Sequence, residues 1–472
     1  MVLTSLLTTV TLMFIFNCFL FLFLVKTSNQ SPINPARPPD CPDKCQCLPA
    51  TDILADGPEG WQIVCVAIGL TTVPDYNKVQ LPRPAYTLDF DYNNITSLQV
   101  FENVSELRYL DVSYNRIDSI EPRSFSALPN LSILNLSNNR LSSLPSNLFE
   151  NLDHLMVLDL SGNKFTYLPT DLFSPLLSLT ILNAGKNFLR HLELGLFDKN
   201  LRLDVLDLSE NQLTSIPVNL LTNNMILKTL DLSGNSFDTV PSEALQGIPS
   251  LEALSIDGNP IRVLNHRSFP HLPNLANLSI QRMPFLKTIE EVTFSYLCSL
   301  QKIDISQNQK LISIDPDAFL DMHQSPNCSS LKKVNLRNNM LTKLPQLALP
   351  WCSLETVDLT GNPWQCDCDL RWLRECQHLL KPGLRCNQPK ELNERDFIDI
   401  DVEQFTCDGD FAYETRIQRF LIMIIAMIAF FVSGMIIALF IQRPMLMDWV
   451  YGRKKGIGSI YYVKAPILMT EY

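Results

Sequence analysis

Between Leu110 and Leu278 a leucine recurs every 24 residues without a slip, at positions 110, 134, 158, 182, 206, 230, 254 and 278. Each is the fourth residue of an LxxLxLxxN unit, as in Leu131, Leu134, Leu136 and Asn139, or Leu155, Leu158, Leu160 and Asn163, or Leu227, Leu230, Leu232 and Asn235. A fixed period of this length marks one supersecondary unit stacked on its own copies, because a single unit cannot bury its apolar side alone. The leucines at places one, four and six are expected to point into the stack. The asparagine suits a site where its amide satisfies backbone groups between turns, since a buried polar group needs a partner.

A second stripe repeats the period on the far side of each coil. Phe125, Phe149, Phe173, Phe197 and Phe269 lie fifteen residues past the fourth-place leucine, and Leu221 and Leu245 fill the two gaps. These rings read as core, not as a binding box. Weaker units centred on Leu88, Ile303, Val334 and Val357 extend the array to twelve repeats. The pattern resembles extracellular leucine-rich-repeat proteins, similar to cell-surface relatives of Slit, Toll and trophoblast glycoprotein. That resemblance implies an α/β-type solenoid, a curved horseshoe with a parallel concave sheet, disulfide caps and one transmembrane helix.

Two apolar runs bracket the array. Residues 1–27, with Leu6 to Val25 as their apolar stretch, read as a secretory signal or an uncleaved anchor, and 28–40 as a linker. Phe420 to Ile441 is 22 residues without a charge, enough to cross a bilayer as a helix. Arg416 and Arg419 precede it, whereas Arg443, Arg453, Lys454 and Lys455 follow it, which places the C-terminus in the cytoplasm. The expected order is an N-terminal cysteine cap at 41–75, repeats over 76–362, a C-terminal cysteine cap at 363–408, a juxtamembrane segment at 409–419, the span at 420–441 and a tail at 442–472. The expected location is the plasma membrane, single-pass type I, with the ectodomain outside. Formal net charge is −11, and the tail carries +3 of its own, leaving about −14 for the rest. That balance disfavours nucleic acid as a partner.

A secreted ectodomain folds where closely spaced thiols pair instead of binding zinc. Cys18 lies in the signal. Cys41, Cys45, Cys47 and Cys65 precede the repeats, and Cys366, Cys368, Cys386 and Cys407 follow them, beside Asn362, Pro363, Trp364 and Trp372. These two groups look like the caps of the same family, and the resemblance implies Cys41 with Cys47, Cys45 with Cys65, Cys366 with Cys386 and Cys368 with Cys407. Cys298, Cys328, Cys352 and Cys376 remain. If all four pair, Cys298 with Cys328 and Cys352 with Cys376 is the expected arrangement, since the alternative asks Cys298 to reach across more than two turns. Peptide mapping that joined Cys328 to Cys352 would overturn it.

Sequons begin at Asn29, Asn94, Asn103, Asn130, Asn135, Asn277 and Asn327. Asn135 and Asn277 fall between leucines, on the face where a glycan would block a partner; an unused sequon is the alternative.

Binding in this family usually runs through the concave sheet, so residues between the leucines are the candidates by resemblance. Tyr109, Ile133, Val157, Ile181 and Val205 form one expected row, an exposed stripe rimmed by Lys186, Asp204 and Glu210. Arg282, Lys302, Lys332, Lys333 and Arg337 should gather on the same face as a basic patch that could receive an acidic protein or a sulfated glycan. Between Ile314 and Leu331 the repeat swells, and the insertion from Asp321 to Asn327 is a candidate partner loop.

The six histidines lack metal-site spacing, and neither a phosphate-cradling glycine loop nor a nucleophile elbow occurs, so neither catalysis nor a cofactor is expected. Asp207 and Asp231 read as a strand-position ladder. Thr470 and Tyr472 at the C-terminus resemble a PDZ ligand, which adds a strand to a sheet edge. The expected function is a receptor or adhesion molecule that binds an extracellular or cell-surface protein. An auxiliary subunit for a channel or receptor in the same membrane is the alternative.

Overall fold

The computed structural model describes residues 38, 40–50, 60–74, 81–320, 322, 328, 330–407 and 418–437. The signal run, nearly all of the linker, the insertion apart from Met322, residues 408–417, the end of the expected span and the tail lie outside the described residues. So do Asn29, Asn327, Thr470 and Tyr472. The chain divides into two units, one ending at Phe405 and one beginning at Thr406.

The first unit is a leucine-rich-repeat solenoid built on one sheet of fourteen strands. Gln46–Ala50 and Gly60–Val64 open it as an antiparallel hairpin, and Gly60–Val64 then pairs in parallel with Ala85–Asp89. From there twelve short strands run parallel, one per repeat, as far as Thr356–Asp358. The register is residue for residue: Val157 faces Ile181, Leu158 faces Leu182 and Asp159 faces Asn183. In a strand, successive side chains leave on opposite sides. The middle leucines therefore go inward, and Leu110, Leu134, Leu158, Leu182, Leu206 and Leu230 are fully buried.

The far side carries the second stripe. Phe125, Phe149, Phe173, Phe197 and Phe269 are buried, and the line extends beyond the expected members to Phe101, Phe294 and Phe319. Ring centroids stand 5.9 Å apart from Phe101 to Phe125, 6.4 Å from Phe149 to Phe173, 5.9 Å from Phe173 to Phe197 and 5.7 Å from Phe269 to Phe294. Neighbouring strands sit only about 4.8 Å apart. Only Phe294 and Phe319 come as close as that, at 4.8 Å, so over most of the array the coils are more widely spaced at the rings than at the sheet, which bends the stack with the sheet inside as the concave face.

Between the two stripes runs a ladder of asparagines. Asn211 is typical: its Nδ2 donates to the carbonyls of Ala184, Leu208 and Ser209 at 3.0, 3.1 and 3.1 Å, and its Oδ1 accepts from the Leu189 N–H at 3.0 Å. Two of these partners belong to the preceding coil, so each amide joins neighbouring turns. The ladder runs through Asn93, Asn115, Asn139, Asn163, Asn187, Asn211, Asn235, Asn259, Asn308, Asn339 and Asn362, all buried. Met283 takes the place once, and its own N–H donates to Asn308 Oδ1 at 2.7 Å. A shorter second ladder, not anticipated from the repeat pattern, joins Asn200 to the Phe173 and Leu176 carbonyls and Asn224 to those of Phe197 and Asn200.

Five disulfides join Cys41 to Cys47, Cys45 to Cys65, Cys298 to Cys328, Cys352 to Cys376 and Cys366 to Cys386. Cys368 and Cys407 are also disulfide-bonded. A stack of strands would otherwise end in unpaired edges and apolar side chains. At the C-terminal end Trp364 is buried over the last coil, and its Nε1 donates to the Leu359 carbonyl at 2.9 Å.

The second unit contains the helix Gln418–Ile437, 20 residues long and apolar enough to cross a membrane. It begins two residues before the expected span. Its one hydroxyl, on Ser433, donates to the Phe430 carbonyl at 2.9 Å, which leaves no unmet donor on that side chain.

Candidate protein-binding face

Side chains on the concave side line up because the strands share one register. The first row runs Thr87, Tyr109, Ile133, Val157, Ile181, Val205, Thr229, Ala253, Asn277, Lys302, Lys333 and Thr356. Its stretch from Tyr109 to Val205 is the expected apolar stripe, but these side chains are half-buried, not exposed. The cause is spacing: at strand separation each β-branched side chain covers its neighbours in the row. Tyr109 is held further by donating its hydroxyl to Asp111 Oδ2 at 2.9 Å.

The second row is Asp89, Asp111, Asn135, Asp159, Asn183, Asp207, Asp231, Ser255, Ser279, Asp304, Asn335 and Asp358. Its acids and amides share one local job. Each accepts through Oδ1 from the backbone N–H two residues on, at 2.8 Å for Asp159 to Ser161, 3.0 Å for Asn183 to Gly185 and 2.9 Å for Asp231 to Ser233. Burial, with like charge behind it, pushes Asp89 up to about 7, Asp159 up to about 6 and Asp231 up to about 7. This row is the strand-position ladder that the sequence suggested for Asp207 and Asp231.

A third line follows the end of the strands. The residue before each ladder asparagine, and before Met283, has positive φ: Tyr92, Tyr114, Asn138, Gly162, Lys186, Glu210, Gly234, Gly258, Arg282, Gln307, Asn338 and Gly361. Lys186 and Glu210 therefore sit side by side on one rim and pair at 3.8 Å. Asp204, expected to share that rim, stands before its strand instead, and its Oδ1 is buried without a hydrogen bond.

The expected basic patch is divided. Arg282 lies on the rim and approaches Asp257 Oδ2 at 3.7 Å, and Lys332 precedes its strand and reaches Glu355 at 3.4 Å. Both are compensated by acids the repeat supplies at neighbouring places. Lys302 and Lys333 face each other in the first row, and Arg337 follows at the end of the same strand region. Among the described residues these three form no ion pair.

The sequons differ in setting. Asn277 is exposed in the first row. Asn135 is half-buried, with Nδ2 donating to Asp111 Oδ2 at 2.8 Å and Oδ1 accepting from the Ser137 N–H at 3.0 Å. Asn103 and Asn130 are exposed on the outside of the coils, Asn130 donating to the Ser105 carbonyl at 2.9 Å, and Asn94 is half-buried.

The leucine rich repeat family model matches residues 83–141, 129–189, 201–261 and 226–285. Over these segments, all within residues 83–285, the sequence carries the leucine rich repeat where the structure shows its repeating parallel strands. Human chondroadherin is 36% identical over 97 residues, which are 20% of this chain and 25% of that protein. The high affinity nerve growth factor receptor of Gallus gallus is 38% identical over 82 residues, 17% of this chain and 10% of that one. The chain therefore spans a quarter or less of the length of these curated relatives. The solved leucine-rich repeat domain of APL1B superposes with a TM-score of 0.50 at 23% identity, covering 65% of this chain and 85% of that one, and shares the fold.

Proposed function

We propose that this chain is a single-pass cell-surface protein that binds another protein outside the cell through the concave sheet. The observation that carries the reading is the face itself: aligned rows of side chains, apolar and acidic toward the N-terminal end and basic toward Lys302 and Lys333. A relative named as a nerve growth factor receptor supports a receptor or adhesion role of this kind. The apolar helix supports anchorage, and the arginines and lysines after it support a cytoplasmic C-terminus. Within this reading Thr470 and Tyr472 would offer a PDZ ligand, Lys302, Lys333 and Arg337 would meet acidic or sulfated groups, and a glycan on Asn277 would bound the usable face.

One substitution tests the face. Ala253→Asn creates an Asn-Leu-Ser sequon in the first row, one strand from the like sequon at Asn277. Full-length chain on intact cells is first screened against secreted and membrane proteins, and the partner found is then offered to Ala253→Asn and to Asp153→Ser, which makes a sequon at Asn151 on the outside. Mass analysis confirms glycan occupancy in both variants. Partner binding is expected to fall about tenfold or more in the first and to stay unchanged in the second. Full binding to a glycosylated Ala253→Asn chain would refute the proposal, and co-purification with a channel in the same membrane would favour an auxiliary role.

A further inference from the structure

The N-terminal end of the concave face holds a feature that the repeat does not require. Tyr92 and Tyr114 occupy positive-φ places, at 53° and 49°, where four other repeats have glycine. A bulky residue is uncommon in that region of φ. The two rings stack with centroids 4.3 Å apart and planes within 5°, yet Tyr92 is 56% and Tyr114 46% exposed. Stacking usually accompanies burial; here two ring faces are held together at the surface.

Beside this pair stand three carboxyls. Asp89 and Asp111 are neighbours in the second row. Asp91 adjoins Tyr92 in the chain, and its Oδ1 is buried with no hydrogen-bond partner. Among the described residues none of the three forms an ion pair, and burial first, with like-charged neighbours after it, pushes Asp89 up to about 7 and Asp91 up to about 6. Above about pH 7, where these carboxyls are ionised, the corner combines negative charge that no described cation meets with exposed aromatic rings.

We propose that Tyr92, Tyr114 and Asp91, with Asp89 and Asp111 adding charge behind them, form a seat for an arginine side chain of the bound protein. Charge complementarity selects a cation. The rings select arginine over lysine, because a guanidinium is planar, stacks on an aromatic face and presents a fork of N–H donors that matches a carboxylate. The guanidinium would lie against the exposed side of the tyrosine pair, with the neighbouring carboxylates supplying the opposite charge. This inference rests on the concave-face reading above and names one anchor within it.

The test uses full-length chain in detergent and a labelled 12-residue peptide of repeated Ser-Gly-Arg, with a citrulline twin that keeps shape and removes charge. Tyr92→Gly combined with Tyr114→Gly preserves the backbone preference of the site, and Asp91→Asn removes one charge. Asp153→Asn combined with Asp171→Asn removes exposed charge elsewhere. The arginine peptide is expected to bind, and both seat variants should weaken it about tenfold or more, with the citrulline twin and the control pair reporting specificity. Equal binding of the citrulline twin, equal loss in the control pair, or undiminished binding to the tyrosine variant would overturn the seat. If the Ala253→Asn glycan blocks a partner while the peptide ignores the seat, only the seat falls; if the peptide uses the seat while the glycan blocks nothing, only the wider face does.

Discussion

Asn211→Ala should destabilise the solenoid by about 3–5 kcal/mol, because it strips partners from several buried backbone groups, each costly to leave unmet. The carbonyls of Ala184, Leu208 and Ser209 lose their shared donor, and the Leu189 N–H loses its acceptor. Water cannot readily replace the amide, since Asn211 is only 6% exposed and Leu189 and Leu208 are fully buried beside it. Solenoid stability is a sum over nearest neighbours, so the loss falls at the junction of two coils. Thermal unfolding followed by circular dichroism should show the main transition displaced downward by about 4–7 °C. A shift of less than about 2 °C would mean that the amide is not the bracket between turns.

Asp231→Asn should do the reverse at neutral pH. The Asp231 carboxyl is buried, with Asp207 on the adjacent strand, and both effects hold its proton on up to about pH 7. An unfolded aspartate loses that proton near its ordinary value of 3.8. Between those limits the native state binds more protons than the unfolded state, so stability falls as pH rises through the window and the penalty is complete above it. Asparagine keeps the Oδ1 that accepts from Ser233, as Asn135 and Asn183 do in the same row. The variant should therefore be more stable by on the order of 2 kcal/mol at pH 8, with the gain gone by pH 4. Denaturant melts at both values check this. A loss of stability at pH 8, or the same gain at both, would contradict a desolvated, proton-holding carboxyl.

Much of the fold was legible because it is periodic. Leucines at fixed intervals, the asparagine after them and the phenylalanines behind each appear many times, and repetition turns weak local preferences into one register. The repeat near Leu278 shows the limit: Met283 breaks the ladder, yet the unbroken leucine period keeps the turn in place. Exposure was less legible. Ile133, Val157 and Ile181 alternate with buried leucines and so read as outward, but how far neighbours in a row shade one another depends on strand spacing. Arg282 and Lys332 read as free cations because their acids, Asp257 and Glu355, lie one repeat away in the chain. The Tyr92 and Tyr114 pair carried a faint signal, since glycine at the matching place in Gly162, Gly234, Gly258 and Gly361 marks a position that bulky residues seldom fill. That signal lies in comparing repeats, not in any one of them.

The central claim is that each 24-residue turn contributes one strand in register with the next, and paired cysteines measure it directly. Ile181 and Val205 face each other across adjacent strands, whereas Val157 stands two strands from Val205. Adjacent strands about 4.8 Å apart bring Cα atoms within disulfide reach, and twice that separation exceeds the limit of about 7 Å. In full-length chain with its native cysteines kept, Ile181→Cys with Val205→Cys should give a new cross-link on non-reducing peptide mapping, and Val157→Cys with Val205→Cys should give none. A cross-link in the second pair but not in the first would contradict the register, and with it the face on which the binding proposal stands.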